Sequence, residues 1–437
     1  MNRFFAGEEG YEHEAAGFQT AFRHEPAVVV AAESAADVVA AVRLAGERGL
    51  RVAVQATGHG ARVPADGVLV STRRMTGVRV DPVARTARVE AGVPWSAVIA
   101  SAADHGLAPL AGSAPHVGVV GYTVGGGIPL LGRQFGYAAD HVTALDVVTA
   151  DATLRHVTAV DEPDLFWALR GGRDLLGIVT ALEVALVPVP VVHGGGMYFD
   201  AAHAVGVLSA FRELTSAAPE TLTASVGMVG LPPVDAVPES LRGRRVVHVR
   251  LASTVPLTAE RLAPLLAAAP RLVERVGAVP AAEVGSIYGD PDFPHAYVGD
   301  NVLLGSLPQV LLDEVLALAG PDAEVPCVVD VRHLGGAMAR APEAPNAVPY
   351  RSSTHVLRVL SPLGDLDAAR AVHRRVFAAA APYTVGRAVN FSYGPPDPAG
   401  TLPAHYDAAT WARLSQVRNE FDAEGRFLSV VDANICS

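Results

Sequence analysis

"VAVQATGHGA", residues 52–61, ends an apolar alternation on a histidine held between two glycines. Gly58 and Gly60 remove Cβ atoms on either side of His59, so the backbone there can turn sharply or press against something flat. A glycine-rich turn after a strand also exposes consecutive N–H groups, a nest suited to phosphate. Upstream, "AVVVAAE" (27–33) reads as a strand. "SAADVVAAVRLAGERG" (34–49) reads as a helix, with Ser34 as N-cap, Asp37 at the capping-box position and Gly49 as the stop. Downstream, "GVLVST" (67–72) is a strand, and "VRVDPVARTARVEAG" (78–92) is a hairpin turned by Asp81-Pro82. "PWSAVIASAADHG" (94–106) starts a second helix with Pro94 in its first turn.

The segment after that helix is richer still in glycine. "VGVVGYTVGGGIPLLGRQFG" (117–136) carries seven glycines in twenty residues, an entropic cost usually met where a ligand or another backbone approaches closely. It lacks the strand-to-helix spacing of the dinucleotide fingerprint. "VTALDVVTADATLRHVTA" reads as two strands, "DLFWALRGG" as a short helix and "LGIVTALEVALVPV" as a long strand. The boundary falls near "VPVPVVHGGG" (187–196). Beyond it, strands ("RRVVHVRLAST", "VPCVVDVRHL", "STHVLRVLS") alternate with helices ("LTAERLAPLLAAAPRLVERVG", "LPQVLLDEVLALAG", "LGDLDAARAVHRRVFAAAAP"). That pattern predicts an antiparallel sheet covered by helices on one side.

Bulk properties narrow the function class. The 437 residues exceed one core, half are hydrophobic and 18% are charged, with a net charge of −11. An acidic chain of this kind argues against nucleic acid or an anionic membrane as partner. Cys327 and Cys436 form neither a metal spacing nor a disulfide framework. No apolar run reaches a membrane span, and the N-terminus does not read as a signal peptide, so a cytoplasmic location is expected.

The order of these pieces resembles one family. The strand–helix–strand ending in Gly-His-Gly precedes "LVSTRRMTGVRVDPVARTARVEAGVPW", then "GLAPLAGSAPHVGVVGYTVGGG", "YAADHVTALDVVTADATL", "DLFWALRGG" and "LGIVTALEVALVPV". With "NFSYG", "WARLSQVRNEFDAEGRF" and "NICS" at the C-terminus, the chain is similar to the berberine-bridge-enzyme-like branch of the vanillyl-alcohol-oxidase superfamily. The resemblance implies an α+β protein: a PCMH-type FAD-binding domain of two subdomains (1–190), a substrate domain with a helix-covered antiparallel sheet (191–385), and a C-terminal segment (386–437) returning to the first domain.

By resemblance, His59 falls where FAD is attached through its 8α-methyl. Ala56, Thr57, Gly58, Gly60 and Ala61 would cradle the pyrophosphate. Gly118, Gly121, Tyr122, Gly125, Gly126 and Gly127 would line the flavin. Ile178 and Val179 would lie along the adenine, and Asn390 near the pyrimidine edge. Six positions in four places depart from the family pattern. Ala114 stands where bicovalent members carry a cysteine, leaving a single link through His59. Arg173, Asp174 and Leu175 replace two glycines and an asparagine. Ala388 replaces the tyrosine of Tyr-x-Asn, and Pro129 a glycine.

With that tyrosine missing, candidate bases are His333, His355 and Tyr393, by chemistry. Alternation along "VVDVRHL" puts Asp330 and Arg332 on one face, and Val329, Val331 and His333 on the other. Tyr288 and Tyr297, in "YGDPDFPHAYVGD", read as solvated. The function expected is an FAD-dependent oxidase taking a hydride from an apolar small molecule, a secondary metabolite, and passing electrons to O₂. The alternatives are a redox-neutral cyclase on the same scaffold and a non-catalytic ligand-binding relative.

Overall fold

The computed structural model describes residues 1–320, 323–399, 402 and 404–429. Among them the chain forms three sheets around two large hydrophobic cores and two smaller clusters. The first sheet is built from Val28–Ala31, Val68–Ser71 and Val52–Gln55, paired in parallel, with Asn2–Phe4 antiparallel at the edge. Parallel pairing demands a crossover, and the helix Ala35–Arg48 supplies it. Its start is set as expected: the Ser34 hydroxyl accepts from Asp37 N–H, while the Asp37 carboxylate accepts from Glu33 N–H at 3.1 Å. Gly49 ends the helix at φ 64°, a left-handed conformation that glycine adopts without strain.

The second sheet is antiparallel, in the order Val78–Asp81, Thr86–Glu90, Ile178–Ala185, Val142–Val148, Leu154–Thr158. Its apolar face and the crossover helix share one core with Trp95, Phe166 and Trp167. The C-terminal helix Ala408–Phe421 returns to this half, where Leu414 is buried and Arg413 lies over the Trp167 ring at 4.0 Å. Phe427 bridges to Val52. The closing "NICS" and Cys436 lie outside the described residues.

The third sheet is antiparallel throughout, in the order Arg271–Pro280, Val191–Asp200, Arg245–Ser253, Leu222–Gly230, Val328–His333, His355–Pro362, Tyr297–Leu304, Thr384–Gly386. One face packs against helices Ala204–Ser216, Ala259–Ala268, Gln309–Ala319 and Leu366–Ala380. The opposite face looks toward the first half of the chain.

One expectation is overturned here. The pattern of "LTAERLAPLLAAAPRLVERVG" predicts a single helix, but the helix stops at Ala268 and Arg271–Pro280 is an edge strand. Pro270 cannot continue a helix. The segment beyond it, with β-branched Val273, Val276 and Val279, instead completes hydrogen bonds along Val191–Asp200. The glycines 194–196 sit in that strand, where a Cβ on Gly195 would fall 1.6 Å from the Arg275 carbonyl oxygen.

Candidate cofactor and substrate site

A cavity of about 670 Å³ opens between the first half of the chain and the free face of the third sheet. The glycine–histidine turn forms one wall. Gly58 takes φ 75°, and a Cβ there would meet the Gly17 Cα at 2.6 Å, so only glycine closes this turn. The turn carries His59 against Phe18, with stacked rings 3.8 Å apart between centroids. His59 Nδ1 lies 2.8 Å from the Thr57 hydroxyl, whose oxygen also accepts from Gly118 N–H at 3.3 Å. Nε2 is buried without a hydrogen-bond partner. Burial, with His116 and His295 nearby, pushes the imidazole pKa down to about 3. The ring is therefore neutral near pH 7, with a lone pair available.

Of the residues expected to hold a cofactor, Ala56, Thr57, Gly58, His59, Gly60, Ala61, Gly118, Gly121, Tyr122, Val179 and Asn390 all line this cavity. Gly121 is informative. It sits inside the helix Val119–Val124, where glycine is unfavourable by roughly 0.5–1 kcal/mol relative to alanine, yet a Cβ there would meet no protein atom within 4 Å. Nothing in the protein's own packing requires a glycine here. Asn390 is fixed by donating from Nδ2 to the Tyr122 carbonyl at 2.7 Å.

Ile178 is buried in its strand, outside the wall. Gly125, Gly126 and Gly127 are also absent from the wall, and their reason is internal packing. A Cβ on Gly125 would lie 2.0 Å from Asn390 Oδ1, and one on Gly127 would lie 2.5 Å from the Tyr122 ring. Arg173 takes φ 61° and bridges two walls, donating to the carbonyls of Gly60 at 3.0 Å and Val389 at 2.9 Å.

The candidate bases separate. Tyr393 lines the cavity, 5.4 Å from the Tyr297 ring, and burial raises its phenol pKa. His333 and His355 stack on each other 5.1 Å apart, and neither lines the cavity, although Arg332 beside His333 does. His333 Nε2 accepts from Arg133 at 2.9 Å, and His355 faces the Phe211 ring. Burial and the Arg133 charge lower His333 to about 2 and His355 to about 3. Tyr288 and Tyr297 are corrected from solvated to buried, each 9% exposed. The Tyr288 hydroxyl lies 2.7 Å from Ser225 Oγ, and the Tyr297 hydroxyl donates to the His59 carbonyl at 3.3 Å. Sheet packing, which local polarity does not report, covers both rings.

Sequence reasoning missed Phe18, Arg62 and Arg358, all in the cavity wall. Arg62 is 3% exposed, with Nε and Nη1 unpartnered, and burial lowers its pKa to about 10. A charge interrupting the apolar run "HVLRVLS" was the available signal for Arg358.

Comparisons with known proteins agree with this geometry. Residues 26–158 match the FAD binding domain family. The chain is 33% identical over 168 residues to (R)-6-hydroxynicotine oxidase of Paenarthrobacter nicotinovorans, covering 38% of this chain and 37% of that protein. The match thus spans about two fifths of the length of such curated relatives. Among solved structures it is similar to Physcomitrella patens BBE-like 1 (TM-score 0.81, 18% identity, 98% of this chain and 95% of that one). It is similar also to a carbohydrate oxidase from Microdochium nivale (TM-score 0.82, 19% identity, 98% and 96%). Residues 26–158 thus match an FAD binding domain, and the chain takes the fold shared by Physcomitrella patens BBE-like 1 and the Microdochium nivale carbohydrate oxidase.

Proposed function

We propose that the protein is an FAD-linked oxidase that binds its flavin covalently through His59 alone and oxidises a small organic molecule. The observation that carries this reading is the buried, unpartnered Nε2 of a neutral His59 in the wall of a cavity also lined by Gly121. When bound, FAD would supply a two-electron acceptor for a substrate hydride, with O₂ as the final oxidant. The chain's own residues do the rest. Thr57 orients the imidazole so that Nε2 is the atom available for bonding. Phe18 covers its face, and Asn390 and the Gly118–Tyr122 segment form a rigid bed.

Ala114 lines the same cavity, and its methyl group offers no second attachment point. The wall is mixed rather than purely apolar. Val120, Val124, Ile128 and Phe391 suit a hydrocarbon body, while arginines enter from the third sheet. Tyr393 is the hydroxyl we assign to the substrate side of the cavity, where burial keeps it protonated and it would donate a hydrogen bond to the substrate.

The test is optical. Purified protein should be yellow, keep its colour in the acid precipitate, and release peroxide as a substrate bleaches it. Colourless protein that takes up no added FAD would end the proposal. Colour lost entirely to the acid supernatant would end its covalent part.

A further inference from the structure

The free face of the third sheet places three guanidiniums around one carboxylate. In the sheet register, Asp330 is opposite Arg358 and Gly227, while Ser225 is opposite both Arg332 and Arg250. Alternation therefore brings Asp330, Arg332, Arg358 and Arg250 to the same side. Arg250 donates to Asp330 Oδ1 at 2.7 Å. Arg358 and Arg332 are only within 3.7 Å and 4.0 Å of Oδ2, and that oxygen has no hydrogen bond. Burial alone would push the Asp330 carboxyl up, but the three cations outweigh it and hold it below the usual carboxylate range.

The positive charge is left in excess. Arg332 is 2% exposed, lines the cavity, and has an Nε without a partner. Arg358 also lines the cavity, with its own Nε unpartnered. Their compensation is aromatic: Arg358 lies 4.4 Å and Arg332 5.5 Å from the Phe391 ring centroid, and Arg332 lies 4.8 Å from that of Tyr288. Burial opposes the Arg332 charge, but Tyr288, Asp330 and Asp290 outweigh it and raise its pKa, so the guanidinium stays charged. What the sheet leaves unmet is the hydrogen bonding of the two Nε atoms. Asp290, the other carboxylate acting on Arg332, is exposed in a loop that also lines the cavity. The chain as a whole carries −11, so this cationic wall runs against the general charge of the molecule.

We propose that the substrate of this site is an amphipathic organic acid whose carboxylate docks on Arg332 and Arg358 beside the Phe391 ring. The inference rests on the oxidase reading above and replaces the purely apolar substrate expected from sequence. Guanidinium is the side chain whose planar fork matches a carboxylate in bidentate fashion. An incoming anion would supply the hydrogen-bond acceptors that the sheet does not offer these two arginines. The apolar residues of the wall would take the rest of the molecule.

The test titrates the FAD-loaded full chain with benzoate, 3-phenylpropionate and indole-3-acetate, and with the primary amide of each. Binding is read both by flavin difference spectra and by calorimetry. At least one acid should bind about tenfold or more tighter than its amide, and Arg358→Met and Arg332→Met should bring the pair within about threefold, consistent with loss of a charge-assisted contact. Arg358→Met guards against misfolding of the more deeply buried Arg332 variant. Three outcomes overturn the proposal. One is equal binding of acid and amide. Another is an acid preference that survives Arg358→Met, whether or not the flavin spectrum shifts. The last is no acid binding up to about 10 mM, where affinity would be worth under roughly 3 kcal/mol. Protein that holds no flavin would defeat the oxidase reading instead, and calorimetry on it would still compare acid with amide.

Discussion

The imidazole of His59 and the hydroxyl of Thr57 are joined at 2.8 Å through Nδ1, which leaves Nε2 as the ring atom without a partner. Attachment of a flavin is therefore expected at Nε2. His59→Ala should abolish colour in the acid precipitate and leave only exchangeable FAD. Thr57→Val, which removes a hydrogen bond worth about 1 kcal/mol, should keep attachment but lower the covalent fraction. Mass spectrometry of the flavin peptide reads both, and an undiminished covalent fraction in His59→Ala would refute the attachment site.

Gly121 faces open space inside a helix. Gly121→Ala should raise the stability of the flavin-free protein by about 0.5–1 kcal/mol, and Gly121→Leu should reduce flavin content without unfolding the chain. Denaturant melts and absorbance ratios measure the two effects. Full flavin occupancy in Gly121→Leu would show that the cofactor does not pass this point.

Arg173 combines a left-handed backbone with a guanidinium tether to Gly60 and Val389. Arg173→Ala loses the tether and keeps the strain, whereas Arg173→Gly loses the tether and relieves it. The glycine variant should be more stable than the alanine variant by about 1 kcal/mol, while both retain FAD less well. Equal stabilities in urea would contradict the strained backbone.

Asp330 is the carboxylate that three cations share. Asp330→Asn removes their compensating charge in a buried place and should destabilise by roughly 3–5 kcal/mol. Adding Arg250→Met should recover part of that loss. A variant within 1 kcal/mol of the parent, about the effect of an exposed ion pair, would mean the cluster is solvated.

His333 and His355 are held neutral by burial, at about 2 and about 3 against an ordinary value of 6.5. The unfolded chain binds protons on them first as pH falls. Their contribution is thus complete above pH 6.5 and is lost progressively toward pH 3, at up to ~1.4 kcal/mol per pH unit for each ring. His355→Phe should flatten the acid limb of stability against pH. Parallel limbs for variant and parent would assign the acid sensitivity to other groups.

The amino-acid sequence by itself determined what is local. Ser34, Asp37 and Gly49 bound a helix because capping acts over a few residues. Alternation sorts Asp330 and Arg332 from Val329 and Val331 because successive strand side chains point to opposite faces. The Gly-His-Gly turn and the order of segments were enough to expect a flavin. Tertiary structure alone decided which distant residues meet. Arg358 reaches Asp330 because two strands pair in one register, and Phe18 covers His59 from a segment with no periodic signal. Residues 271–280 became a strand because an edge was there to be completed. Contacts of this kind depend on which strands become neighbours: alternation along one strand fixes which face a side chain takes, but not which partner strand lies beside it.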